Sequence, residues 1–460
     1  MEKTLFEQLR EKHPSFTYRG YTVTKEEDSI FIEYDFVMEN GPEFHPTERV
    51  MTKNLTLLND YNSFAANKII FALGMVELIS YWKSACPPTV YVDCGHLDEW
   101  DIRWWKKLYF NGLGEFFYRN GIYAHEDTFM NIVSRGDNPD YPLFEYNCDH
   151  KNLIAIGGGK DSAVTTDLLK RFKDKNIFIT INDQKARTDT VLRGGYSENS
   201  IVKTYRTIDK NLLDLNGKGY LNGHTPFSAI VAFLSFYCAF ITGAENIVLS
   251  NESSANESNV KGTTVNHQYS KSYEFEEDFR KYSEKNIMNE IHYFSMLRPF
   301  NELQIAKYFA SCPEYLDAFR SCNRGSKQNI WCSKCAKCIF VFIMLSPFVE
   351  YEKLCEVFSN DMLNDEEMIK DFDGLTDIEG NKPFECVGTP DEIKLALLLL
   401  SEKLTKENRE YPLLLKRFIE KTDLESIDRS ILLDYNPKHN VPDEFLLEIK
   451  EMYERVASNN

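Results

Sequence analysis

Apolar and polar positions alternate with a period of two around Tyr21–Val37, the pattern of a half-buried strand. A more continuous apolar run from about Phe64 to Ala85 predicts a helix, closed by Cys86-Pro87-Pro88, because proline cannot continue it. In DEWDIRWWKKLYFNGLGEFFYRNGI, Trp100, Trp104, Trp105, Tyr109, Phe116, Phe117 and Tyr118 recur at three- and four-residue steps. Such spacing predicts a helix burying a broad aromatic face, and leaves a packing role and a ligand platform both open. After Tyr141-Pro142 the pattern changes to short apolar runs alternating with helical ones: Leu153–Ile156, a helix from about Ser162, Ile177–Ile181, a long apolar helix after Pro226, and Ile247–Leu249. This alternation predicts an α/β fold with a doubly wound parallel sheet. From about Phe348 the chain reads as mostly helical, and in TPDEIKLALLLLSEKL Thr389 is the expected N-cap, with Pro390 at the first helical position and Glu392 three after the cap.

At about 150 residues per domain, 460 residues allow two or three domains. The pattern divides them into an α+β segment 1–150, an α/β segment 151–345 and a helical segment 346–460. With 43% hydrophobic and 27% charged residues and no low-complexity run, order is expected nearly throughout. A net charge of −18 repels a phosphate backbone except where basic groups cluster, so nucleic acid is disfavoured as a partner. Thr225–Ala244 runs 20 residues without a charge, long enough to span a bilayer. Ser228, Ser235 and Thr242 give it a polar stripe every seven residues, and no Lys or Arg closely flanks it, so a helix buried in a soluble core is expected and no membrane partner. The first residues, MEKTLFEQLREKHPSF, lack the apolar core of a secretory signal. Eleven cysteines, an odd number with three of them packed into Cys332, Cys335 and Cys338, fit a reducing compartment better than a disulfide framework. The expected location is the cytoplasm.

Three motifs carry chemistry. In LIAIGGGKDSAVTTDLL an apolar strand runs into Gly157, Gly158 and Gly159, and Lys160, Asp161 and Ser162 open a helix. Glycines let backbone amides approach phosphate oxygens, the helix N-terminus adds partial positive charge, and Lys160 a full one. A carboxylate such as Asp161 among phosphates makes sense beside Mg²⁺. The pattern is neither the Walker loop nor the dinucleotide G-x-G-x-x-G. The second motif, Cys322 followed by Cys332, Cys335 and Cys338, offers four thiolates for a tetrahedral structural Zn²⁺, with a redox CxxC as the rival. The third is NESSANE, with VNHQYSKSYEFEEDF after it, following the expected strand Ile247–Leu249. Glu252, Asn256, Glu257, Gln268, Tyr269 and Lys271 there are candidate substrate ligands, with a solvated loop as the alternative.

IGGGKDS resembles the pyrophosphate loop G-G-x-D-S of the PP-loop ATPases, which cleave ATP to AMP and pyrophosphate to activate a substrate. The cysteine spacing after such a unit resembles the layout of 7-cyano-7-deazaguanine synthase, whose zinc site is structural. LGMVELISYWKSACPP, WWKKLYFNGLGEFFYRN, IGGGKDS, NESSANE, VNHQYSKSYEFE, SCNRG with WCSKCAKC, and KPFECVGT, from about residue 65 to 400, together resemble the UDP-N-acetylmuramoyl-L-alanyl-L-glutamate epimerase family. The resemblance implies a cytoplasmic peptidoglycan-precursor enzyme that uses ATP and Mg²⁺ to invert the terminal L-glutamate of UDP-MurNAc-L-Ala-L-Glu, a small-molecule substrate, with segment 1–150 available for substrate recognition. A Cα proton beside a carboxylate is very weakly acidic, and an acyl-adenylate makes its removal feasible. The reaction then needs an acid/base pair and an oxyanion stabiliser. His267 is the first acid/base candidate, Cys386 the second and His224 a weaker third. Lys160, with Lys271 or Arg298, is a candidate to neutralise pyrophosphate or the substrate's side-chain carboxylate. The competing class is a PP-loop synthetase or thiolase that passes the activated group to ammonia or sulfur, and a regulatory ATP-binding module is a third.

Overall fold

Alternating burial along the first two strands builds a hairpin: β1 (Ser15–Lys25) and β2 (Ser29–Met38) pair antiparallel, with Glu26 N–H donating to the Ser29 carbonyl at 2.9 Å across the turn. The single strand-like stretch expected around Tyr21–Val37 is thus the end of one strand, a reversal at Glu26–Asp28 and most of the next. Period-two alternation continues through a tight turn that preserves the core face, so the pattern alone hides the reversal. The computed structural model describes residues 3–137, 145–260, 262–263, 265–379 and 382–458, and the pattern change at Tyr141-Pro142 lies outside them.

The remaining strands are β3 (Glu43–Phe44), β4 (Thr47–Met51), β5 (Thr89–Val92), β6 (Asn131–Ser134), β7 (Lys151–Ala155), β8 (Asn176–Ile181), β9 (Ile201–Thr207), β10 (Ala244–Leu249) and β11 (His292–Ser295). Among the described residues they form one sheet in the order β11-β10-β7-β8-β9-β4-β2-β1-β5-β6, with β3 on β2. From β11 to β9 every pairing is parallel, as the strand and helix alternation predicts. An antiparallel pairing of β9 with β4 carries the sheet into the first 150 residues, so it is continuous across that point.

The parallel strands are buried on both faces. Leu153, Ile179 and Ile247 point into a core covered by the helices Phe64–Trp82 and Phe227–Thr242. Ile154, Phe178 and Val248 point into a second core shared with Glu302–Ala310, Ala336–Leu345 and Pro390–Lys406, so the helical C-terminal segment packs on the same sheet. Phe64–Trp82, capped by Ser63, is long and apolar enough to cross a membrane by length and composition, and 78% of its most apolar window is buried within the fold. Gly74 is required there, because a Cβ would fall 2.0 Å from the Tyr18 hydroxyl. The uncharged stretch after Pro226 is a shorter helix of 16 residues, buried nearly end to end and terminated by Gly243 in the left-handed conformation.

Candidate active site

Strand order places the site. Along β9-β8-β7-β10-β11 the chain winds outward from β7 in both directions, so the loops after β7 and β10 diverge and leave a crevice at the carboxyl ends of the strands. The loop after β7 is Gly157–Gly159, and the one after β10 begins at Ser250 and Asn251. A cavity of about 410 Å³ opens there, lined by both loops and by residues from several more distant segments. Its size suits a small molecule.

The glycine loop is held by its own hydrogen bonds. Gly158 has φ +84°, and a Cβ on it would crowd Ala186 and the Arg187 nitrogen at 3.2 Å. Its N–H donates to Ser162 Oγ at 3.2 Å, and its carbonyl accepts from the Arg320 N–H at 2.7 Å. Around Gly157 a Cβ would meet nothing within 4 Å, leaving that backbone open to the cavity. The helix Lys160–Leu168 follows with Gly159 as N-cap and no side-chain cap, so its N-terminal amides are available to an anion.

Lys160 departs from the expectation. Its ammonium is buried and ion-paired with Asp161 and Glu302, off the cavity wall. Its first-turn position turns it against the Glu302–Ala310 helix, whereas Asp161 and Ser162 face the cavity. Cavity cations come instead from Arg187, Lys271, Arg320 and Lys337. Burial opposes ionisation of Asp161, but Lys160 and Lys337 hold its carboxyl below the ordinary range. Behind it burial raises Glu302 and Glu392 to about 7 and also raises Glu252, with Asp161 adding to the effect on Glu252. Glu392 makes the expected capping box with Thr389 and also accepts from the Glu302 N–H at 2.7 Å.

On the opposite wall stand His224, His267 and Cys386. Glu115, on the short helix Gly114–Arg119, accepts from Arg119 Nε at 2.5 Å and lies 2.5 Å from His267 Nδ1. The His267 ring and the Cys386 thiol line the same wall and act on each other's charge, and Lys271 Nζ donates to Cys386 Sγ at 3.3 Å. Burial works against the charged forms of both groups. Even so, Cys386 and Glu115 raise His267 to about 9, while Lys271 and His267 draw the Cys386 thiol down to about 6. His224, with its ring centroid 4.2 Å from that of His267, is pushed down to about 3 by burial and by His267, which keeps it neutral.

Gln268 and Lys271 of the third motif line the cavity. Asn256, Glu257 and Tyr269 do not: Asn256 Oδ1 accepts from the Tyr273 N–H at 2.9 Å, Glu257 pairs with Lys382 at 3.0 Å, and the buried Tyr269 ring packs edge-on against Phe275. Glu252 sits behind Asp161 in the carboxylate cluster. Arg298 is fully buried, pairs with Glu276 at 3.0 Å and donates to the Glu252 and Lys271 carbonyls at 2.7 Å, so it braces the loop rather than meeting a ligand. Residues that motif reading passes over include Glu115, hidden in a stretch dominated by packing aromatics, and Lys337, hidden between two cysteines. Trp104 and Trp105 of that stretch pack on Phe233 and Tyr282, which is core rather than a ligand platform.

Cys322, Cys332, Cys335 and Cys338 come together with all four sulfurs within 4.8 Å, and none is in a disulfide. Tetrahedral Zn–S bonds of ~2.3 Å put sulfurs ~3.8 Å apart. Cys332 and Cys335 lie 3.7 and 3.5 Å from Cys338. The Gly325 and Cys332 amides donate to Cys322 Sγ at 3.3 and 3.4 Å, as thiolate ligands require. The cluster therefore fits one metal ion.

Comparison with known proteins shows the family. The family model for the MurL N-terminal domain matches residues 7–296, and that for the MurL C-terminal domain matches 318–428. A Xanthomonas oryzae protein named UDP-N-acetyl-alpha-D-muramoyl-L-alanyl-L-glutamate epimerase is 29% identical, with 98% of each chain covered. Proteins of the same name from Micromonospora and Salinispora tropica are each 32% identical over 86% of this chain, covering 89% and 87% of their own. No solved structure matches.

Proposed function

The chain belongs to the MurL family of epimerases, and from that premise we propose that it inverts the terminal L-glutamate of UDP-MurNAc-L-Ala-L-Glu to D-glutamate in the cytoplasm, after ATP activates the carboxylate. One observation carries the reading: a single cavity joins the Gly157–Gly159 loop and the helix N-terminus after it to a histidine and thiol network. Neither half alone explains the other. A glycine loop without acid/base groups would serve a kinase or synthetase, and acid/base groups alone would not need phosphate recognition. The synthetase or thiolase alternative has no counterpart among these relatives.

Removing a Cα proton beside a carboxylate would build a dianion. Transfer of AMP to that carboxylate, with release of pyrophosphate, converts it to a mixed anhydride whose enolate is accessible at neutral pH. The Gly157–Gly159 backbone and the N-terminus of the Lys160–Leu168 helix receive the phosphates, with Arg187 and Arg320 supplying positive charge. Asp161, which faces the cavity, would hold Mg²⁺, and the ion would offset phosphate charge. His267, oriented by Glu115 and standing beside the Cys386 thiol, is the group that moves protons.

Incubation with UDP-MurNAc-L-Ala-L-Glu and ATP in D₂O tests the reading. The expected products are AMP, pyrophosphate and a D-glutamyl peptide carrying deuterium at Cα, by mass spectrometry and chiral analysis. Asp161→Asn should lower AMP formation by orders of magnitude while the protein stays folded. Release of ADP and phosphate, or epimerisation without ATP, would contradict the proposal.

A further inference from the structure

We infer that Cys386 is a nucleophile: it takes the glutamyl group from the adenylate, so that the species epimerised is a thioester on the enzyme. The inference rests on the adenylation proposed above and adds a covalent step after it.

The geometry distinguishes a nucleophile from a proton donor. A thiol that only returns a proton to carbon must be neutral and needs no cation beside it. Cys386 instead meets an ammonium, Lys271 Nζ at 3.3 Å, and an imidazole whose Nδ1 is bound to the Glu115 carboxylate at 2.5 Å. Glu115, His267 and Cys386 form the carboxylate, imidazole and thiol order in which an acid orients a base that holds a thiol as its anion. The backbone is fixed as well, since Lys337 Nζ donates to the Cys386 carbonyl. Lys271 and Lys337 line the same cavity and act on Asp161 of the loop-to-helix turn as well as on the sulfur. Cys86 and Cys238, packed in the apolar core, are pushed upward by burial, the state of inert cysteines.

The step balances without an oxidant. The Cys386 thiolate attacks the acyl carbon, the S–C bond forms, and the bond from that carbon to the phosphate oxygen breaks, AMP leaving with the electron pair. Sulfur donates weakly into the carbonyl, so the thioester keeps Cα acidic after AMP has gone. With the thiolate consumed, His267 loses one of the anions that held its proton and releases it to solvent. The neutral ring, still oriented by Glu115, then takes the Cα proton, and a solvent-derived proton is returned to the other face. His267 passes the Cα proton to solvent and, neutral again, takes a proton from a water that attacks the thioester carbonyl and expels the Cys386 thiolate, which restores the thiolate and imidazolium of the starting state.

The test uses the full-length enzyme with ATP and UDP-MurNAc-L-Ala-L-Glu, quenched in acid from milliseconds to seconds. Intact mass spectrometry should find an adduct of substrate mass less water, mapped to the Cys386 peptide and removed by neutral hydroxylamine. Free enzyme, without nucleotide, should be alkylated at Cys386 by iodoacetamide at pH 7 at least tenfold faster than at Cys148. Cys386→Ala and Cys386→Ser should retain substrate-dependent exchange of pyrophosphate into ATP but lose D-product on the order of 10³-fold or more. No adduct at any quench time, or D-product from Cys386→Ala within tenfold of wild type, overturns the covalent step while leaving adenylation standing. Absence of pyrophosphate exchange in wild type overturns adenylation itself, and with it this inference.

Discussion

The protonation of Cys386 and His267 is set by neighbours drawn from four separate stretches of chain. Burial alone would leave a neutral thiol and a neutral ring. Lys271 stabilises the thiolate, and Cys386 and Glu115 together stabilise the imidazolium, bringing the thiol to about 6 and raising the ring to about 9. Between those values the pair is thiolate and imidazolium. Below the lower one the thiolate is protonated, and above the upper one the ring loses its proton. The kcat/KM for epimerisation should therefore follow a bell with limbs near pH 6 and pH 9, belonging to the pair as a whole. Glu115→Gln keeps the size of the side chain and removes the anion that supports the imidazolium. The basic limb should move to lower pH, and kcat should fall on the order of 10²-fold through loss of ring orientation. An unshifted basic limb in that variant, measured by stopped assays across the pH range, would remove Glu115 from the network. His267 and Cys386 are legible from sequence because their side-chain types announce their chemistry. Glu115 is not, because its role depends on a contact 152 positions away along the chain.

Elements with local signals are the ones the sequence predicts well. The strand into Gly157–Gly159 and the helix after it, and the Thr389 capping box, need only neighbouring residues to form. The orientation of Lys160 is not local, because it follows from where the Glu302–Ala310 helix docks. The same holds for the seam between the two halves of the sheet. Arg206 on β9 makes two hydrogen bonds to the Glu77 carboxylate of the Phe64–Trp82 helix, at 2.9 and 2.8 Å, and lies 3.9 Å from Glu48 on β4. Both carboxylates are buried and the Arg206 side chain is nearly so, and burial together with Glu77 pushes the Glu48 carboxyl well above the usual range. Arg206→Ala leaves Glu77 buried without its partner, and should cost about 3–5 kcal/mol of stability. Replacing both members, Arg206→Met with Glu77→Leu, should recover most of the loss, because the cost of a broken buried pair lies in the charge left behind. Urea denaturation of the two variants checks this, and equal destabilisation by both would show that the ion pair itself secures the seam.

At the scale of the molecule, the cysteine cluster links sites that look independent in the sequence. Residues just before Cys322 dock on the glycine loop, through the Arg320 N–H to the Gly158 carbonyl at 2.7 Å. Lys337, between Cys335 and Cys338, bonds the Cys386 carbonyl. A metal held by the four sulfurs would therefore fix the glycine-loop side of the cavity and the thiol side at once. The spacing of the four cysteines points to a cluster that could hold a metal ion, but not to its bracing both walls, because those contacts come from flanking residues with no motif of their own. The expected consequence is a coupled loss. Cys335→Ser should release about one zinc ion per chain by elemental analysis, because three remaining thiolates leave the tetrahedron open. Nucleotide affinity and epimerisation should then fall together, since Arg320 and Lys337 lose their support in the same event. The hairpin of β1 and β2 packs in the other core, against the Phe64–Trp82 helix, and should keep its hydrogen-exchange protection. Zinc loss with nucleotide affinity and turnover both intact would show that the loop stands without its metal. Loss of hydrogen-exchange protection throughout the sheet would show instead that the metal supports the whole fold rather than the site.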